Sequence, residues 1–264
     1  MIGVNHYSIT EDALNNRLND DAIYYVSEAN RDSDVIEDEN KFNIFKPYNA
    51  PQHFNKTTKE EGLNFLENAQ DVVIDDLKEA SKTDDDEAYA QALYDFGRLS
   101  HCIQDFYSHT NWINQTGPEV KIWNETTDEL DNVKTTNYGV ISQFFDMINP
   151  FFKMYAENNY DSLYEGNSKV SHYTMNKDEK GTLADVLYEK NTGTSGFELA
   201  MKDASVHTEQ KWEEIMDELK SELTNEEFDN LRENLDDFDL SADIFDENRD
   251  EYRQNFEEDM EDKT

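Results

Sequence analysis

A chain of 264 residues is long enough for one large domain or two small ones, and although only 36% of it is hydrophobic, Phe, Tyr and Trp supply 12%, enough aromatic surface for a sizeable core. Sixty-one Asp and Glu against 23 Lys and Arg give a formal charge of -38, which repels nucleic acid and anionic membranes unless metal ions or local patches compensate. No run approaches the roughly 20 apolar residues of a membrane span.

Cys102 is the only cysteine, so an intramolecular disulfide is excluded and the residue reads as a small buried hydrophobe. Residues 1–30 lack the basic start and apolar middle of a signal peptide.

Four prolines and nine glycines leave long uninterrupted stretches in which apolar residues recur at three and four, so the fold class expected is all-α, a multi-helix bundle. Thr10, followed by acidic residues, reads as the N-cap of a first helix over 10–29. Residues 30–55 carry Pro47 and Pro51 and read as an irregular loop. A second helix, starting at Thr57 or Thr58 and running to Lys82, turns Leu63, Leu66, Val73, Ile74 and Leu77 inward. A third covers 86–111, with Tyr89, Leu93, Phe96, Leu99, Ile103 and Phe106 on its inner face. After a polar loop at Gly117 and Pro118, an apolar helix is expected over 138–155 and a loop-rich stretch to 181. A later helix covers 196–223. Residues 1–223 read as the main domain and 224–264 as an acidic helical extension, with helices opened by Thr224 and by Ser241, either packed on the domain or forming a mobile tail.

The third helix holds the chemistry. His101, Asp105 and His109 are spaced four apart, which returns each to nearly the same face about 6 Å further along. Neutral imidazole and carboxylate are ligand types that zinc accepts, and Asp105 in the middle of the stripe is placed to bridge two ions. Of six histidines, His6, His53, His172 and His207 remain, each in a polar context that suits the same centre. Phe106, Tyr107 and Trp112 beside the stripe read as core or as the apolar wall of a cleft.

The stretch from His101 to Trp112, together with His6, Asn30 and Asp34, His53-Phe54 and Asn176-Lys177-Asp178, resembles the zinc-dependent phospholipase C superfamily, which also contains single-strand nucleases and the Het-C-like proteins. The resemblance covers residues 1–223. It implies an all-α bundle of that type holding two or three Zn2+ ions. By the same resemblance, Asp34, His53, His101 and Asp105 hold one ion, with Asp32 the alternative to Asp34. His109 and His207 hold a second, and Asp105 with His6 a third, to which residue 1 contributes. Here residue 1 is Met1 rather than the family's Trp, and Lys211 stands four residues after His207 where the family has an acid. A lysine ammonium is no zinc ligand, so Asp203, four residues before His207, is the substitute, with His172 the alternative.

The function so implied is hydrolysis of a phosphodiester, a phospholipid head-group ester being the substrate class, by a metal-activated water that Asp34 orients or deprotonates. Nucleic acid is the disfavoured substrate on charge, and family members are secreted. The alternative is a non-catalytic member that keeps the helical scaffold.

Overall fold

The computed structural model describes residues 3–40, 51–54, 59–83, 85–131, 133–135, 177 and 179–263. Over these residues the protein is all-α, with ten α-helices, one 3-10 turn and no β-strand. In chain order the helices are α1 Gly3–Leu14, α2 Asp20–Asn40, α3 Lys59–Ala80, α4 Asp86–His109, α5 Trp112–Thr116, α6 Thr127–Leu130, α7 Leu183–Thr192, α8 Gly196–Glu222, α9 Asn225–Asp236 and α10 Ala242–Asp262; the 3-10 turn is Pro51–His53.

The middle of the fold is α4. Its first turn is capped by Asp85, whose carboxylate accepts from the Glu87 N–H, and from Tyr94 to His109 every residue is buried. A helix buried on all sides is ordinarily apolar throughout, so the polar residues of α4 must find partners inside the protein. Helices α2, α3 and α8 pack around it, with α1 bridging α2 and α8.

The contact between α2 and α4 is close because Gly97 has no side chain. A Cβ there would lie 2.5 Å from both Ala29 Cβ and the Val26 carbonyl oxygen. This approach sets Asn30 of α2 beside Ser100 and His101 of α4.

The acidic segment after Leu223 is docked. Thr224 and Glu227 form a reciprocal capping box at the start of α9, and Ser241 stands as the N-cap of α10. Phe238, Phe245, Tyr252 and Phe256 are buried, with Tyr25 and Tyr94 among their ring neighbours. Arg249 of α10 reaches Asp32 at 3.4 Å and Glu28 at 3.5 Å on α2.

Several expected boundaries shift. The helix expected over 10–29 is two helices, because Asn19 rather than Thr10 acts as the cap: its Oδ1 accepts from Ala22 N–H, while Thr10 Oγ1 is taken by Gln104. The loop expected over 30–55 is helical to Asn40, since neither Pro nor Gly interrupts that stretch. Helix α7 falls in a stretch for which the sequence reading gives no element; Thr182 caps its start and Gly193, at φ 78°, closes it in the left-handed conformation. The helix expected over 138–155, His172 and Met1 lie outside the described residues.

Candidate metal centre

Four elements deliver side chains to one buried point. His6 comes from α1, Asp34 from α2, His53 from the 3-10 turn, and His101, Asp105 and His109 from the stripe on α4. The turn that carries His53 is held by the next residue: Phe54 adopts φ 48°, and its fully buried ring packs on Phe106 and Trp123. Gly62 of α3 leaves the room for that ring, since a Cβ there would lie 2.6 Å from Phe54 Cε1.

Asp105 is the hub. Its Oδ2 lies 2.6 Å from His53 Nδ1, 3.2 Å from His101 Nε2 and 3.5 Å from His109 Nδ1, and its Oδ1 lies 3.4 Å from His6 Nε2. Asp34 stands at the edge, 3.9 Å from His6 Nε2 and 4.0 Å from His101 Nε2. The rings of His6 and His101 stack with centroids 4.4 Å apart, and His53 meets His101 edge-on at 4.7 Å. Two triads bring ligand atoms within 4.8 Å of one another, His6–Asp34–His101 and His53–His101–Asp105. Asp34 thus falls with His6 and His101, where the resemblance groups it with His53, His101 and Asp105.

The histidines are oriented from behind. His6 Nδ1 donates to Gln104 Oε1 at 2.8 Å, His101 Nδ1 to Asn30 Oδ1 at 3.1 Å, and His109 Nδ1 to the His53 carbonyl oxygen at 3.1 Å. Each leaves its Nε2 without that hydrogen. Burial pushes His101 well below the ordinary imidazole value, against the pull of Asp105, so it stays neutral. Burial also raises Asp34. Asp105 behaves oppositely: burial raises it, but the surrounding histidines, His109 first, outweigh burial and hold the carboxyl well below its usual range.

These donors suit a divalent cation. His6 Nε2 is buried with no hydrogen-bond partner, an orphaned lone pair facing two carboxylates, and imidazole with carboxylate is the donor set of zinc.

His207 and Asp203 lie in a different arrangement. His207 Nδ1 is 2.9 Å from the Tyr107 hydroxyl and Nε2 is 2.9 Å from Glu125 Oε1, whose partner oxygen takes the Lys211 ammonium at 2.6 Å. Asp203 is buried without a side-chain hydrogen-bond partner, and burial pushes its carboxyl up to about 7, with the Lys121 backbone pulling the other way. Neither of the two triads includes His109, Asp203 or His207. Asp32 faces α10, where Arg249 meets it, and burial sets it at about 6. Phe106, Tyr107, Trp112 and Cys102 are buried core.

Sequence reasoning missed Gln52, Gln104 and Glu125. An amide next to His53 or Asp105 carries no sequence signal of its own. Glu125 sits in an irregular segment, itself at φ 53° in the left-handed region, outside any periodic element. Lys177 is also buried, its ammonium on the Thr110 carbonyl oxygen at 3.2 Å.

Comparison with known proteins corrects the family expectation. The family model that matches is the VWA7 N-terminal domain, over residues 22–137, and not a phospholipase C or nuclease family. That stretch takes in Asp34, His53, His101, Asp105, His109 and Glu125, and leaves out His6, Asp203 and His207. No curated protein matches, and no solved structure matches. The resemblance read from the stretch His101 to Trp112 with His6, Asn30, Asp34, His53-Phe54 and Asn176-Lys177-Asp178 therefore does not hold; these short matches mark metal-competent side chains and not a family. Over the matched residues, the chain is similar to the VWA7 N-terminal domain.

Proposed function

We propose that the protein is a zinc-dependent phosphodiester hydrolase whose metal is held within the cluster of His6, Asp34, His53, His101, Asp105 and His109. The observation that carries the reading is the orphaned, buried Nε2 of His6, which faces the carboxylates of Asp34 and Asp105. A bound zinc supplies Lewis acidity toward a phosphoryl oxygen and lowers the pKa of water.

The chain's own residues would do the rest. Asp34 has a side chain 29% exposed while His6, His101 and Asp105 are at 0%, so it is the carboxylate that solvent can reach. Its carboxyl, raised by burial, suits acceptance of a proton from an incoming water. Asn30 and Gln104 would hold the rings of His101 and His6 in place. The -38 charge opposes nucleic acid, which leaves smaller phosphodiesters, a phospholipid head-group ester among them, as the substrate class.

A second reading is favoured by the same depth of burial: an ion that holds α1, α2 and α4 together without turnover. Elemental analysis of chelator-free protein, with hydrolysis of bis(p-nitrophenyl) phosphate and of a chromogenic phosphocholine ester, tests both. Turnover that needs zinc and falls at least tenfold in Asp34→Asn supports the hydrolase. Stoichiometric metal without turnover leaves the structural ion. Protein that binds no divalent metal defeats both.

A further inference from the structure

Two chains of hydrogen bonds reach the centre, one through Asn30 of α2 and one through Gln52 of the 3-10 turn, and each begins at a group that can act in only one sense. On one side the Gly97 carbonyl oxygen, an acceptor, takes the Ser100 hydroxyl hydrogen at 2.9 Å. Ser100 Oγ must then accept from Asn30 Nδ2, also at 2.9 Å, which turns Asn30 Oδ1 toward His101 Nδ1. His101 therefore carries its hydrogen on Nδ1 and presents Nε2 as a lone pair.

On the other side the guanidinium of Arg98, a donor only, gives an Nη2 hydrogen to Gln52 Oε1 at 3.0 Å. Gln52 must present its NH2 to His53 Nε2, 3.3 Å away. His53 Nε2 accepts, so the hydrogen of the neutral ring lies on Nδ1, 2.6 Å from Asp105 Oδ2. Turning the Gln52 amide over would set two donors against each other at the Arg98 contact. Arg98 is itself buried under Phe256, with Nε and Nη1 lacking hydrogen-bond partners, so its place in the core is not explained by its own satisfaction.

We infer that Arg98, acting through Gln52, holds His53 as a hydrogen-bond donor to Asp105 rather than as a metal ligand, and that a divalent cation is held by Asp34 and the Nε2 atoms of His6 and His101. This rests on the metal reading above and narrows it. Ligation by His53 Nδ1 requires a lone pair there, and a neutral ring that accepts at Nε2 has none to give. Of the two triads, only His6–Asp34–His101 carries no hydrogen on either imidazole Nε2; that of His101 also lies 3.0 Å from His53 Nδ1, whose hydrogen has its nearer acceptor in Asp105 Oδ2 at 2.6 Å. His53 is then a positioning residue, which fixes Oδ2 of Asp105 and leaves Oδ1 turned to His6. Arg98 and Gln52 act through it.

The test is 15N NMR of the full chain labelled at histidine, first stripped of metal and then titrated with zinc. In stripped protein, His53 and His101 are both expected as the Nδ1–H tautomer. On zinc addition the Nε2 signals of His6 and His101 move to the ligated range, while His53 keeps its Nδ1 hydrogen. Gln52→Glu reverses the second chain, because both carboxylate oxygens only accept. The His53 hydrogen should move to Nε2, and the variant should bind one zinc more than the wild type.

An Nε2–H tautomer of His53 in stripped wild-type protein overturns the inference, as does loss of the Nδ1 hydrogen with the first equivalent of zinc. Wild-type protein that takes up no zinc defeats the metal reading and the cation half of the inference. The stripped-state tautomer still decides the role of Arg98 and Gln52, even if the variant fails to fold.

Discussion

The ammonium of Lys211 lies 2.6 Å from Glu125 Oε2, and the other oxygen of the same carboxylate is 2.9 Å from His207 Nε2. One turn of α8 after His207 stands Lys211, where the resemblance implies an acid, and the acid comes instead from Glu125 in the irregular segment between α5 and α6. Along α8 the Lys121 backbone lies against Asp203, and Glu125 reaches both His207 and Lys211, so this irregular segment runs beside the helix. Trp123 and His207 are indeed ring neighbours, centroids 6.5 Å apart.

Glu125→Gln should destabilise the protein by about 3 kcal/mol at neutral pH, because it strands the ammonium of Lys211, which is 4% exposed. Burial raises the Glu125 carboxyl, but the His207 hydrogen bond and Lys211 outweigh it and depress the folded value below 4.5. A depressed acid adds stability above its unfolded value and loses it as pH falls through the folded one. Urea unfolding at pH 7 and pH 4 should show the gap between wild type and variant narrowing in acid. A variant as stable as wild type at pH 7 would show that the network adds nothing.

Asp203 has the opposite sign. Burial raises its folded carboxyl from 3.8 to about 7, so the folded state holds the proton more tightly and stability declines as pH rises between those values. Asp203→Asn removes that decline. Relative to wild type, the variant should gain of order 2 kcal/mol between pH 5 and pH 8, one pKa unit being about 1.4 kcal/mol. Melting temperatures that keep the same difference at both pH values would rule this out.

Gly97→Ala should separate α2 from α4. The added methyl would lie 2.5 Å from Ala29 Cβ and from the Val26 carbonyl oxygen, and the latter is backbone that cannot swing aside. A loss of about 2 kcal/mol is expected, together with weaker protection of the Asn30 side-chain amide that bonds Ser100. Unchanged thermal unfolding would mean that the helices are not in fact so close.

How much of this was legible in the sequence depends on the kind of contact. The face shared by His101, Asp105 and His109 follows from a spacing of four on a helix, and the all-α class follows from apolar periods of three and four. The order in which the distant donors meet is not local information: Asp34 joins His6 and His101 because Gly97 lets α2 approach α4, and a glycine inside a helix does not say what it makes room for. Thr10 and Asn19 are both competent caps, and only the buried Gln104, which takes the Thr10 hydroxyl, decides between them. The family does not follow from the site residues, because short matches around scattered histidines and aspartates report ligand chemistry and not descent.

Removing residues 224–264 should cost more than solubility. Phe238, Phe245, Tyr252 and Phe256 are buried, and their loss would uncover Tyr25 and Tyr94, which are at 0% exposure. At roughly 2 kcal/mol for each large apolar side chain, the truncated chain should be several kcal/mol less stable and should bind a hydrophobic dye. A truncated protein that unfolds at the wild-type temperature would show that the extension is only laid on the surface.

Asp105→Asn tests which residue organises the centre. The amide is nearly the size of the carboxylate, so packing is preserved, but it brings an NH2 group to a point where His53 Nδ1 already supplies a hydrogen at 2.6 Å. It also removes the negative charge that faces four imidazoles, within 3.5 Å of each. Zinc uptake should therefore fall, and stability should fall by about 3 kcal/mol even in chelator, since a buried network loses its shared acceptor. His6→Ala should lose zinc as well, because it deletes one of the bare Nε2 atoms, but in chelator it leaves Asp105 bonded to His53 and near His101 and should cost less stability. The two variants are to be compared by urea unfolding in EDTA and by metal analysis after zinc loading. If Asp105→Asn keeps wild-type stability in EDTA while His6→Ala does not, then the α1 histidine, and not the carboxylate of α4, holds the centre together.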